Sequence, residues 1–127
     1  MHDLAKTFAV LAPGLGITPV DLAPDLYERL DRDFDAFRGH VLVAMHAFDA
    51  DWPTWERHPA GDELVLLLAG AATFVLDTPG GEQQVVLAKP GRFVIVPRNT
   101  WHTARVAEHA ELLFITPGEG TENEERP

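Results

Sequence analysis

The stretch TWERHPAGDELVLLLAG, residues 54–70, reads as a strand, a turn and a second strand. Side chains two apart on a strand face the same way, so Glu56 and His58 project together while Arg57 points to the opposite face. The run Pro59, Ala60, Gly61 and Asp62 has turn composition and reverses the chain, and Glu63 then opens an apolar strand. A turn there brings Glu63 alongside the Glu56/His58 pair. Two carboxylates and one imidazole in so small a volume form a ligand set for a cation.

Outward from this stretch, KPGRFVIVPRNTWHTARV, residues 89–106, places His102 at the start of a strand, just after a Pro97-Arg98-Asn99-Thr100 turn. An imidazole there reaches into a barrel from the far side and completes a set of four candidates: Glu56, His58, Glu63 and His102. If Glu56 stands outside the set as a solvated edge residue or a hydrogen-bond acceptor, the other three still make the two-His, one-carboxylate facial triad of non-haem iron sites.

The flanking sequence sets the fold class. From His40 onward, runs of Val, Leu, Ile, Phe and Thr alternate with Pro, Gly, Asp and Asn, the pattern of an all-β sandwich or barrel. The runs are His40 to Phe48, Thr54 to His58, Glu63 to Ala69, Ala72 to Leu76, Gln83 to Leu87, Arg92 to Val96, His102 to Val106 and Glu111 to Thr116. Between the fourth and fifth, Asp77-Thr78-Pro79-Gly80-Gly81 is hairpin chemistry, because its glycines supply positive φ and its proline fixes the turn entry. Ahead of the strands, APDLYERLDRDF predicts one short helix, with Leu26 and Leu30 on a shared face. Residues 1–22, punctuated by Pro13, Gly14, Gly16 and Pro19, read as an irregular arm with at most one short extended piece. The division expected is an arm and helix over 1–38, a barrel over 39–118, and a mobile acidic tail over 119–127 that carries no apolar anchor and is dispensable.

Composition removes several function classes. Twenty acidic residues against ten Lys and Arg give a net charge of -10, which argues against a phosphate-binding track for nucleic acid. With no cysteine, disulfide frameworks, thiolate nucleophiles and sulfur-ligated metals are excluded, so a metal must use His and carboxylate. The longest uncharged run, Leu64 to Leu76, falls short of the ~20 residues that span a bilayer, and the N-terminus lacks a basic start and unbroken apolar core. A cytoplasmic protein with no membrane partner is expected. Among weaker candidates, His40 and His46 share a strand face and read mainly as structural. Trp52, Trp55 and Trp101 read as core rather than pocket wall, Arg98 and Arg105 as surface or as binders of an anion, and LVLLLAGAA as buried core in preference to a subunit interface.

The two quoted stretches resemble the paired motifs of the cupin superfamily, small β-barrels of jelly-roll type. The family's first motif runs Gly, five residues, His-x-His, three or four residues, Glu, six residues, Gly; here Glu56 takes the first His place, and His58, Glu63 and Gly70 follow in step. In the second motif, Gly91, Pro97 and His102 occupy their places. Ala50, Glu56, Asn99 and Val106 depart from the pattern, and Asn99 is the mildest change because Asn tolerates the left-handed conformation. The resemblance implies one divalent ion (Fe, Mn, Ni or Zn) and a small-molecule ligand. A metal-dependent enzyme of oxygenase or isomerase type is expected; the alternative is a non-catalytic binding or sensing barrel. It also implies a homodimer paired through the arm, whose Phe8, Val10, Leu11, Leu15 and Ile17 are more apolar than so small a barrel buries alone. Glu56 keeps a metal-binding oxygen but makes the set harder and more anionic than three His and one Glu, which favours Fe or Mn over zinc.

Overall fold

The computed structural model describes residues 1–126. All eight runs are strands: β3 (Val41–Phe48), β4 (Trp55–Arg57), β5 (Glu63–Gly70), β6 (Ala72–Thr78), β7 (Gly81–Leu87), β8 (Phe93–Val96), β9 (His102–Arg105) and β10 (Ala110–Thr116). Three further strands, β1 (Thr7–Leu11), β2 (Ile17–Asp21) and β11 (Glu122–Glu124), complete two antiparallel sheets. One is ordered β2-β1-β3-β10-β5-β8, the other β11-β4-β9-β6-β7. The apolar core lies between them, with Phe8, Leu67, Phe74 and Leu112 almost wholly buried. The fold is all-β with one short helix, as expected.

The arm is a hairpin rather than an irregular segment. Phe8 and Val10 alternate inward on β1 and are each 1% exposed, so burial in the barrel core overrides the turn-like composition around them. The breakers fall where a hairpin tolerates them: Pro13 to Gly16 form the turn, and Pro19 lies on β2, the edge strand, where no neighbour needs its missing N–H. The tail is a strand too. β11 pairs with β4 in register Asn123 to Glu56, and the Arg126 guanidinium stacks 4.2 Å from the Trp55 ring centre while bonding Asp77 and Glu124. Stacking and ion pairing anchor the segment without apolar side chains.

The predicted hairpin joins β6 to β7, closed by Thr78 opposite Gly81, whose φ is 109°. At Gly70 (φ 78°) a Cβ would stand 2.1 Å from the His109 carbonyl oxygen, so β5 and the entry to β10 approach this closely only with glycine. The helix α1 (Leu26–Asp33) buries Leu26 and Leu30 and leaves Tyr27 and Asp31 exposed. After it, Asp35, Ala36 and Phe37 all take positive φ (56°, 53° and 59°), a strained left-handed turn. The turn drives the Phe37 side chain into the core, where it packs on Gly118. Strain next to a cavity wall is held by the packing around it. On β5, Val65 and Leu67 point inward at 0% exposure, whereas Leu64, Leu66 and Leu68 face outward; the run is core on one face only.

Candidate metal centre

The site is built where the two sheets meet. Glu56 lies on β4, directly opposite His102 at the start of β9, while Glu63 opens β5 in the other sheet. His58 follows β4 in the turn between the sheets. Two loops clamp one another around these positions: the Arg98 N–H donates to Asp62 Oδ1 (2.8 Å) and the Asn99 N–H to the His58 carbonyl (2.9 Å). Asn99 has φ 62°, so the family's glycine place keeps its left-handed backbone with Asn in it.

All four predicted residues are brought together. One donor atom from each of Glu56, His58, Glu63 and His102 lies within 4.8 Å of every other. His58 Nε2 stands 3.4 Å from Glu56 Oε1 and 3.2 Å from Glu63 Oε2; His102 Nε2 stands 3.4 Å from Glu56 Oε1 and 3.2 Å from Glu63 Oε1. Neighbouring donors on an ion at ~2.1 Å lie roughly 3 Å apart, so these spacings fit one small divalent cation. His58, Glu63 and His102 are 4%, 2% and 0% exposed, and Glu56 is the member nearest solvent.

Outer partners aim the donors. His102 Nδ1 bonds the Thr100 carbonyl at 2.9 Å; a carbonyl only accepts, so Nδ1 carries the hydrogen and a neutral ring turns a lone pair on Nε2 to the centre. The Thr121 hydroxyl donates to the Gly118 carbonyl and accepts from His58 Nδ1 (2.8 Å), which fixes the same tautomer there. Thr116 Oγ1 donates to Glu63 Oε2 at 2.5 Å. What remains is His58 Nε2, His102 Nε2 and Glu63 Oε1, buried without a hydrogen-bond partner among the described residues. Leaving such atoms unpaired is costly unless something binds them, and two nitrogens plus carboxylate oxygens are a donor set for a transition metal.

The electrostatics of the quartet are tightly balanced. Burial alone disfavours a charged imidazole, but Glu56 and Glu63 outweigh it and push both His58 and His102 up to about 9. Burial likewise raises a carboxyl, but the two imidazoles outweigh it, drawing Glu56 down to about 2 and Glu63 below its ordinary range. Two carboxylates with two imidazolium groups sum to zero, and so do two carboxylates, two neutral imidazoles and one divalent ion.

A cavity of about 640 Å³ opens from the centre to solvent, lined by Glu56, His58 and Glu63 at its floor and by α1, β3, β10 and the residues after β10 around its wall. Sequence reasoning missed Thr121 and Asn123, which sit in the acidic tail outside both motifs and carry no local signal. It also placed the tryptophans imperfectly. Trp52 lines the cavity, packed against Phe48, Phe74 and Phe114, whereas Trp55 and Trp101 lie on the barrel's flank beneath Arg126 and Arg57. His46 is in the cavity wall, while His40 packs against Phe34 and Phe37. Arg98 and Arg105 are exposed and stand outside this cavity.

Comparison with known proteins agrees with this fold. No curated protein matches the chain. Among solved structures, a cupin-2 domain protein from Shewanella frigidimarina has a TM-score of 0.52 at 17% identity, over 61% of this chain and 70% of its own. A cupin superfamily protein from Desulfitobacterium hafniense has a TM-score of 0.50 at 26% identity, over 60% and 65%. The oxalate decarboxylase of Bacillus subtilis, described for its Mn(II) centres, has a TM-score of 0.54 at 15% identity; the match covers 67% of this chain but 23% of that larger protein. The cupin domain model matches residues 46–116, which contain all four donors and both motifs, and the chain therefore belongs to the cupin family.

Proposed function

We propose that Glu56, His58, Glu63 and His102 hold one divalent transition-metal ion, and that the barrel uses it as a metal-dependent enzyme of oxygenase or isomerase type on a small organic molecule entering through the cavity. The observation that carries this reading is the convergence of two Nε2 atoms and Glu63 Oε1, buried and unpaired, with each ring's Nδ1 already committed to an outer partner. The bound ion supplies a Lewis-acid or redox centre. The protein residues do the rest: Glu56 and Glu63 neutralise the ion, Thr100 and Thr121 hold the two rings, and the apolar wall keeps bulk water from a ligand. A donor set rich in carboxylate favours harder ions, and the Mn(II) centres described for the fold-related decarboxylase make Mn(II), with Fe(II), the first ions to test.

Elemental analysis after purification without chelators is expected to find close to one metal per chain, and His102→Ala to abolish it. Protein that is metal-free and cannot be loaded with Fe, Mn, Ni, Zn or Co refutes the reading. Metal uptake without turnover on any small organic substrate favours the binding or sensing alternative.

The homodimer is a further part of this proposal, on a changed footing. Phe8 and Val10 of the arm are buried by the chain itself. Free apolar surface remains at Leu15 and Ile17 of the arm, 78% and 69% exposed, and on the outer face of the six-stranded sheet, where Leu64 and Leu66 of β5 stand opposite Ile95 and Phe93 of β8, these last two 54% and 51% exposed.

A further inference from the structure

We propose that the cavity selects neutral or cationic molecules with an apolar body and turns anions away, and that Asp31 and Asp51 at its rim set this preference. The inference deepens the metal reading and rests on it for the end of the ligand that meets the ion.

The wall is made of Leu30, Phe37, Leu42, Ala44, Phe48 and Phe114, so the body of a ligand loses water against hydrocarbon and aromatic rings. The polar groups interspersed in it include His46, Thr54, Thr116 and Asn123, which suit hydroxyl or carbonyl groups. His46 itself is packed edge-on by Phe8 and Phe114 at 5.3 and 5.6 Å, and burial lowers its tendency to take a proton.

Apart from His58, whose charge belongs to the balanced quartet, the charged lining is all of one sign. Asp31, Asp51, Glu56 and Glu63 face the cavity, and no Lys or Arg does among the described residues. A divalent ion cancels Glu56 and Glu63, which leaves Asp31 on α1 and Asp51 before β4, both exposed, as net negative charge at the opening. Arg105 and Arg126 line a separate depression that also touches Asp51, and Arg126 is paired there with Glu124 and Asp77; Arg38 pairs with Asp35 and Arg57 with Glu122, so none of the four faces this cavity. A carboxylate entering here gives up its hydration and meets like charge with no protein cation to pair it; an ammonium group meets the reverse.

The test uses three probes with one metal-binding head and different distal groups: 4-tert-butylcatechol, 3,4-dihydroxybenzylamine and 3,4-dihydroxybenzoate. Each is titrated calorimetrically into the full-length protein after chelator treatment and again after Mn(II) loading. The butyl and amine probes are expected to bind at least tenfold more tightly than the benzoate. Asp31→Asn with Asp51→Asn, which touches no metal donor, is expected to shrink that ratio to threefold or less, and Asp31→Asn alone, on an exposed helix surface, to shrink it part of the way. Benzoate binding as tight as the butyl probe, or a ratio unchanged in both variants, overturns the proposal. Titration with Mn(II) alone reports separately on the metal reading: no uptake refutes that reading, while the order of the three probes on ion-free protein still decides this one.

Discussion

Loading the centre at neutral pH should expel two protons for each ion bound, because the ion takes the place of the charge on two imidazolium groups. With His58 and His102 both held at about 9, the metal-free protein at pH 7 carries both rings protonated and both carboxylates ionised. A metal needs the neutral rings. Between pH 6.5 and 8.5 the apparent affinity should therefore rise roughly 6,000-fold, whereas two histidines at an ordinary 6.5 would give about fourfold. Calorimetric titration of Mn(II) at pH 7 in buffers of different ionisation enthalpy counts the protons directly. A count below one refutes the reasoning, since the rings would then be neutral before the ion arrives.

The same groups fix the sign of the stability profile. Both His pKa values are raised from 6.5, so their contribution to the metal-free fold is complete below pH 6.5 and is lost as pH rises through about 9. Glu56 is depressed from 4.5, so its contribution is present above pH 4.5 and lost as pH falls through about 2. The Tm of chelator-treated protein should accordingly decline from pH 6.5 to 9, while protein in excess Mn(II) gains relative to it across the same range.

Removing the tail from residue 119 onward should lower the Tm by several degrees and weaken metal binding, because it strips Thr121 from His58 and Arg126 from Trp55; Thr121→Val should reproduce the loss of metal affinity, about tenfold, with less loss of Tm. Phe8→Ala, at a residue 1% exposed, should cost about 3–5 kcal/mol in denaturant unfolding, and a change below 1 kcal/mol would return the arm to the status of an appendage. Phe93→Asp with Ile95→Asp should turn a dimer into a monomer by light scattering at micromolar concentration without altering metal content; wild type that is already monomeric removes the dimer.

The parts of the fold legible in the sequence are those whose signal is local. Alternation announces β3 to β10, the Leu26/Leu30 spacing announces α1, and the Gly80-Gly81 turn announces the β6–β7 pair. The arm and the tail were illegible for opposite reasons. In the arm, Phe8 and Val10 do alternate, but Pro and Gly within a few residues mask a two-residue apolar signal, and only the packing of β1 against β3 resolves it. In the tail there is no apolar signal, since Glu122–Glu124 is held by backbone pairing to β4 and by Arg126 stacked on a tryptophan distant in sequence. The donors follow the same rule. Glu56, His58 and Glu63 are spaced for one strand and its following turn, and His102 is found by its place after Pro97. The threonines that aim the rings are single residues whose role exists only once the chain has closed.

Glu56 is where the sequence departs from the family's donor pattern, and the charge balance gives the departure a consequence. With an imidazole in its place, the metal-free centre would hold one buried carboxylate against three rings, which supports one imidazolium and leaves the others near or below their ordinary range. With Glu56, the quartet is neutral with two protons and neutral again with one divalent ion, so the barrel carries no net buried charge there in either state. Glu56→His should therefore bring the protons released per ion at pH 7 down from two toward one. It should also shift selectivity toward Zn(II) or Ni(II), because a softer, less anionic set no longer offsets their intrinsic advantage. Competition between Mn(II) and Zn(II), read by elemental analysis on wild type and variant, decides the second point, and buffer-dependent calorimetry the first. Should the substitution leave both proton count and selectivity unchanged, Glu56 lies outside the donor set, and His58, Glu63 and His102 form a facial triad alone.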